Sequence, residues 1–393
     1  MSMHYWKVSL VCQSPVFVGS GEKVQKSQYI YDKKAGEVYF LDESGWIRFL
    51  GRHGIMDDFS NALLANPLHL NLFGYLSHQD RLCREYGSIG NILHAMKKER
   101  AVLRTEPYLG NPEKAPNEIA GFVLDARGNP YIPGSSLKGA FRTAILAHHI
   151  LQNRGAYKKD WENIRRAAGN KRDMGKAMDN LEREAAIPLD KNGKRDMVKS
   201  YFRGLTVSDA RLVNGGLCVV PKTDLGLHTS RTHEVSLFRE TLACDSTLEF
   251  TIGLDDDASA MGHFGIHNFK DFVDVLREFV NFQYEILKKP FEPYTKDELQ
   301  DILQDIKNAR NADLVLGGGA GYISKTLVYA LAPSKEDAVY VVRKLMENMF
   351  KRGHHGRDTE ISPHALKLAE VDGENYLMGL CYLDGEKPLC SDR

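Results

Sequence analysis

A chain of 393 residues is long enough for two or three domains around a well-buried core. Hydrophobic residues make up 42% and charged residues 26%, proportions that suit a soluble globular protein and exclude a disordered one. Fifty-two basic side chains balance fifty-two acidic ones, so net charge does not draw the molecule to nucleic acid and any polyanion site must be local. The charge is nevertheless unevenly placed. Between Arg154 and Arg203 fourteen Lys or Arg stand against eight Asp or Glu, and between Asp245 and Asp305 five stand against fourteen. Such polarity suits one surface for an anion and another for a partner, and it equally suits ordinary solvated faces. The six cysteines are scattered without a Cys-x-x-Cys, which argues against a zinc knuckle and for a reducing compartment. No apolar run approaches a membrane span and MSMHYWKVSL lacks a signal-peptide pattern, so a cytoplasmic location is expected.

Along the chain, Tyr5 to Cys12 reads as a strand that leads into PVFVGSGEK, where Gly19, Ser20 and Gly21 make a loop ahead of Lys23 and Lys26. Gln28 to Asp32 and Glu37 to Leu41 flank DKKAG as a hairpin, and from about Gly54 to Arg104 the pattern turns helical. Tyr157 to Lys199 is charged, poor in apolar residues and broken by glycines, so it reads as a helical insertion with mobile links. Phe202 to Val213 and Leu242 to Leu254 alternate as strands do, and the long segment between them suits a protruding hairpin. Phe269 to Leu287 carries apolar residues at three- and four-residue steps, as does a helix from about Ser334 to Lys351. Strands around Leu366 to Val371 and Tyr376 to Tyr382 close the chain. This order predicts an α+β fold with a ferredoxin-like or RRM-like core, in one or two copies, with large helical insertions at about 54–105 and 155–200. The halves are expected to divide at residues 1–215 and 216–393.

The most informative stretch is Tyr131 to Ile145, YIPGSSLKGAFRTAI. Pro133 and Gly134 end an extended approach, Ser135 or Ser136 can cap a helix, and Leu137, Phe141 and Ile145 recur on its apolar face. Free N–H groups in the first turn, with Lys138 and Arg142 four residues apart, outline an anion site. An ordinary capped helix with a solvated basic face fits the segment alone equally well. Two further segments are alike in kind: PVFVGSGEK, and LGGGAGYISK with Gly317, Gly318, Gly319 and Lys325. Glycine lets consecutive N–H groups converge on an anion, and a nearby cation adds a charge-assisted hydrogen bond. None has Walker A spacing or a clean G-x-G-x-x-G, and each by itself is weak. Three together favour a shared anionic ligand.

YIPGSSLKGAFRTAI resembles the signature of the RAMP superfamily of CRISPR-associated proteins, and LGGGAGYISKT resembles the glycine-rich loop that closes that family's pattern. PVFVGSGE and FRETLACDSTLEFTI are similar to family segments in the same order, so the likeness runs from about residue 5 to 325. The combination is most similar to the Csm subunit of type III-A effector complexes that caps the backbone near the 3′ end of the guide RNA. The resemblance implies binding of guide RNA (crRNA) by its sugar-phosphate chain, no cofactor and no metal. It also implies two neighbours, the repeating Csm backbone subunit and the small helical subunit, with target RNA met only indirectly and no membrane partner. Carried over residue by residue, the implied RNA contacts are Gly19, Ser20, Lys23, Gly134, Ser135, Ser136, Lys138, Arg142, Gly317 to Gly319 and Lys325. Arg231 falls in the long loop where family members extend a hairpin thumb. No catalytic residue is carried over, and Asp32 has no catalytic role because it lies in a hairpin.

Two other functions compete with a non-catalytic RNA-binding subunit. A metal-independent endoribonuclease that processes precursor guide RNA needs a general base and acid, and His228 with His233, or His354 and His355 beside Asp358, are its candidates. A helix-end or plain loop role explains both pairs as well. A phosphate-binding small-molecule kinase needs carboxylates for magnesium, and Asp255 to Asp257 is the obvious cluster; a turn between strand and helix explains it more simply.

Overall fold

Val8, Leu10 and Cys12 are buried while Lys7 and Tyr5 face outward, and this alternation makes Met3–Cys12 the central strand, β1, of the main sheet. The computed structural model describes residues 3–67, 70–227, 232–295, 299–350 and 354–389. After β1 the core proceeds through α1 (Gly134–Gln152), β2 (Ala210–Asn214), β3 (Thr247–Asp255), α2 (Phe269–Gln283) and β4 (Leu380–Leu389). The four strands lie in the order β4-β1-β3-β2, all antiparallel, with Met3 opposite Asp255 and Cys12 opposite Cys381. This is the ferredoxin-like arrangement predicted from element order. Short strands Leu314–Val315 and Tyr131–Ile132 extend its two edges, beside β4 and β2 respectively. The sheet joins β1 and β2, which precede residue 215, to β3 and β4, which follow it.

Both helices bury their apolar stripe against this sheet. Phe141 of α1 packs edge-on to Phe272 of α2 at 5.0 Å between ring centroids and stacks on Phe250 of β3 at 6.2 Å. The start of α1 differs from the sequence expectation. The helix begins at Gly134, whose N–H donates to the Asp209 carboxylate at 2.8 Å, and neither serine caps it. A side chain at 134 would lie 2.5 Å from the Val207 carbonyl oxygen, so the close approach of the 207–209 segment both requires glycine and supplies the cap.

A second sheet runs in the order 374–377, 365–371, 217–226, 232–242, 119–122, 19–24. Among the described residues it does not repeat the strand order of the first, so one sheet carries the ferredoxin-like order. The expected loop at Gly19 to Gly21 is a bulge inside a strand, Gly19–Val24: Gly19 pairs with Phe122 and Lys23 with Ala120.

The first insertion joins the predicted hairpin, Tyr29–Asp32 with Glu37–Leu41, and strand Val102–Pro107 to five short helices between Glu43 and Lys98. It has its own core around Trp46, Phe49, Leu50, Leu76 and Ile92. Asp32 accepts the N–H groups of Lys34 and Ala35 in the hairpin turn. The second insertion, Lys158–Ala167 and Lys171–Ala186, is more firmly seated than its composition suggests, because Trp161, Ile164, Met174 and Leu181 enter the main core. Few apolar residues suffice when they recur on one helical stripe.

An ionic cluster ties the first insertion to the second sheet. Arg104 pairs with Glu106 at 2.7 Å and with fully buried Glu240 at 2.6 Å, and Glu240 also accepts the Phe122 N–H at 2.7 Å. Burial, reinforced by Glu240, pushes the Glu106 carboxyl far above its ordinary 4.5. A carboxyl raised in the folded state binds more protons there than in the unfolded chain, so this group costs stability as pH rises above 4.5. Glu106→Gln is expected to flatten the decline in urea-unfolding midpoint between about pH 5 and pH 9; an unaltered decline would assign it to other groups.

Candidate nucleic-acid interface

Three glycine-bearing segments far apart in sequence meet in one cleft of about 320 Å³. The start of strand Gly19–Val24 contributes Gly19, α1 contributes Ser136, Gly139 and Thr143, and the glycine-rich loop contributes Gly317 and Gly318 with Lys325. Helical periodicity selects the α1 residues, because steps of three and four put 136, 139, 140 and 143 on one face. That face is small and polar, and nothing lies within 4 Å of where a side chain at Gly139 would begin. Backbone can therefore be approached closely at Gly139.

The opposing wall is held by backbone contacts. Gly318 N–H donates to the Phe17 carbonyl at 2.6 Å, and Gly317 sits at φ +84° with its absent side chain directed 2.3 Å from the same oxygen. Gly319, also at φ +84°, packs beside Met378 and Arg239. The Arg239 guanidinium lies 5.4 Å from the centre of the Phe17 ring, and it forms no ion pair among the described residues. Burial lowers its pKa from the ordinary value, yet an arginine remains charged, so a fixed positive charge backs the loop. Lys325 stands exposed on the rim, its pKa lowered by desolvation.

The other sequence-predicted residues are placed elsewhere. Ser20 donates to the Gly121 carbonyl and lines a separate cleft with Arg104 and Glu240. Lys23 pairs with Glu118 at 2.7 Å. Ser135 is exposed at the first turn of α1. Lys138 and Arg142 do share a face, but it is turned away from the cleft toward the second insertion. Lys138 donates to the Leu205 carbonyl at 2.5 Å, and Arg142 contacts Glu182 at 3.3 Å and covers the Phe202 ring. Burial and then Arg142 lower the Lys138 pKa. Arg231 and His228 lie outside the described residues, as does the side chain of His233.

Sequence reasoning passed over Gly139, Thr143, Ser324 and Arg239. The small residues at 136, 139, 140 and 143 were a legible helical stripe, whereas nothing in the sequence gave the depth of Arg239.

The histidine expectations resolve differently from the helix-end reading. Helix Lys335–Met349 stops before them, and His355 and His364 both direct Nδ1 to the Asp358 carboxylate, at 2.9 and 2.6 Å. Burial alone would raise the Asp358 pKa, but hydrogen bonds led by His364 hold it below the usual aspartate value. Potential ligand atoms of the three lie within 4.8 Å of one another, so this set has the chemistry to hold a metal ion. Asp255 to Asp257, by contrast, bond to their own turn: Asp255 accepts the Asp257 N–H and Asp257 accepts that of Ser259.

The chain belongs to the RAMP superfamily, whose sequence pattern matches residues 9–323. It is similar to the protein named CRISPR system Cms protein Csm5 from Mycobacterium tuberculosis (strain ATCC 25618 / H37Rv), 25% identical over 392 residues and 96% of each chain. Its counterpart of the same name from Streptococcus thermophilus is 27% identical over 336 residues, covering 82% of this chain and 80% of that one. Among solved structures, the fold matches the crystal structure of T. onnurineus Csm5 with a TM-score of 0.58 at 19% identity, over 95% of this chain and 99% of that one. It also matches a chain of a Csm-crRNA-target RNA ternary complex of a type III-A system with a TM-score of 0.61 at 17% identity, over 97% and 100%. No helix among the described residues is long and apolar enough to cross a membrane.

The two cleft walls should respond oppositely to a methyl group. Gly317→Ala is expected to cost about 1–3 kcal/mol or more from its left-handed backbone and the Phe17 contact. Gly139→Ala should gain about 0.5–1 kcal/mol from helix propensity. Equal chemical-denaturation midpoints for the two variants would contradict the geometry.

Proposed function

We propose that the cleft carries the sugar-phosphate chain of a guide RNA, and that the protein is a non-catalytic structural subunit of a type III-A Csm effector complex. The observation that carries this reading is the convergence of Gly19, Ser136, Gly317, Gly318 and Lys325 in one cleft. A wall without bulky side chains admits phosphates and riboses and reads no base edge, which suits a subunit that must accept any spacer sequence. The names of the relatives and the RNA-bound complex that contains a structural neighbour support the same assignment. The subunit sits at the end of the backbone filament near the crRNA 3′ end, beside the repeating backbone subunit and the small helical subunit. There it protects the guide, supports its maturation and meets target RNA only through its neighbours.

Such a grip is electrostatic and sequence-blind. Lys325→Ala is expected to weaken binding of two unrelated single-stranded RNAs equally and to lower the slope of log affinity against log salt by about 0.7. Lys138→Ala with Arg142→Ala should matter less, since both cations already have protein partners. Fluorescence anisotropy across a salt series decides this, and an unchanged slope for Lys325→Ala would remove the cleft from consideration.

One observation favours a second reading, the metal-independent endoribonuclease: two imidazoles are oriented by a single buried carboxylate, as acid–base chemistry requires. On that reading, wild-type protein cleaves precursor guide RNA in the presence of EDTA, and His355→Ala or His364→Ala slows cleavage by about 100-fold or more. The structural-subunit reading expects no EDTA-resistant cleavage from either form.

A further inference from the structure

The glycine-rich loop has a second side. Val315 and Ser324 line the cleft, and they also line a cavity of about 400 Å³ behind the loop. This size lies within the range of roughly 300–1,000 Å³ typical of small-molecule sites. Its apolar wall includes Met346, Met349, Phe350 and Met378, and thioethers adapt readily to a planar ring.

Buried polar groups without partners face this space. Lys288 is 8% exposed and Gln283 1% exposed. Lys288 Nζ, Gln283 Oε1 and Asp224 Oδ1 have no hydrogen-bond partner, and all three residues line the cavity. Such groups are costly to bury and rarely left unsatisfied, so three around one cavity mark a place where hydrogen bonds are missing. The backbone brings two of them together: α2 runs into a single π turn at Tyr284–Lys288, whose five-residue hydrogen-bond step sets 283 and 288 on one side. Asp305 attracts Lys288 through space but makes no hydrogen bond to it, and its carboxylate accepts the Leu377 N–H. Asp224 holds Lys222 and Lys367 with Oδ2 and leaves Oδ1 over.

The missing partner must be flat and apolar on its faces, must accept from an ammonium, and must donate to an amide and a carboxylate oxygen. A nucleobase meets all three requirements, with ring nitrogens or carbonyls as acceptors and an exocyclic amine as donor. His354, on the same lining, suits an attached phosphate. We infer that this cavity is a nucleotide-binding site, in which Lys288, Gln283 and Asp224 hold the base edge against a methionine-rich wall. The occupant is either a free nucleoside monophosphate or one nucleotide of a bound RNA. The site is distinct from the cleft and does not depend on guide RNA lying there.

The full-length protein is titrated with AMP, CMP, GMP and UMP by calorimetry, alongside Lys288→Met and Gln283→Leu. At least one nucleotide is expected to bind wild type, and each variant should weaken it by about tenfold or more. Each variant should also leave the thermal midpoint of the free protein unchanged or raised, because each removes an unsatisfied polar atom. A purely structural lysine would instead lower the midpoint. Lys325→Ala should leave mononucleotide binding intact while weakening RNA, so failure at the cavity and failure at the cleft are told apart. Competition by a short RNA would identify an RNA nucleotide as occupant, and its absence a free nucleotide. No binding of any mononucleotide to wild type, or undiminished binding by both variants, overturns the inference.

Discussion

The hydrogen bond from Gly318 N–H to the Phe17 carbonyl holds the candidate cleft together. It brings two backbones so close that Gly317 cannot carry a side chain, while the Phe17 ring fills the space beside Gly318. Adjacent contacts extend the junction: Leu316 N–H donates to the Gly379 carbonyl, and Gly379 N–H donates to the Pro15 carbonyl. Three stretches near residues 15, 317 and 379 are thus laced by main-chain bonds, and one of them leads directly into β4. The edge of the ferredoxin-like sheet and the wall of the cleft are the same piece of structure.

The junction divides its surroundings by polarity. Toward α1 the loop offers amides, small side chains and the exposed Lys325, an environment for a solvated phosphate chain. Away from α1 it covers a methionine-rich cavity with unsatisfied polar atoms, an environment for a ring that leaves water. A polynucleotide has both parts, a charged thread and detachable flat bases, so one loop can serve both without conflict.

The basic residues that look most suited to an anion already have protein partners. Arg142 fastens α1 to Glu182 of the second insertion, and Lys138 and Arg142 hold α1 to the segment that follows it through the Leu205 carbonyl and the ring of Phe202. The positive charge that backs the glycine loop comes from Arg239, largely removed from solvent and laid over an aromatic face. A guanidinium fixed in this way supplies potential with little loss of side-chain entropy on binding.

Periodicity and element order determined much of this in advance. The apolar stripe of α1, the helix from Phe269, the hairpin at Asp32 and the β-α-β-β-α-β succession are local patterns, set by side-chain spacing and turn chemistry that no distant contact needs to supply. The three glycine-bearing segments were likewise legible one at a time. Only the tertiary structure decided that they meet, that Asp209 caps α1, and that Lys138 and Arg142 point away from the meeting place. A helical repeat fixes which residues share a face but carries no information about what packs against it, and here the second insertion takes the basic face. The depth of Lys288 and Gln283 was equally hidden, because burial depends on elements such as Leu377 and Met378 that are contributed from about ninety residues further along the chain.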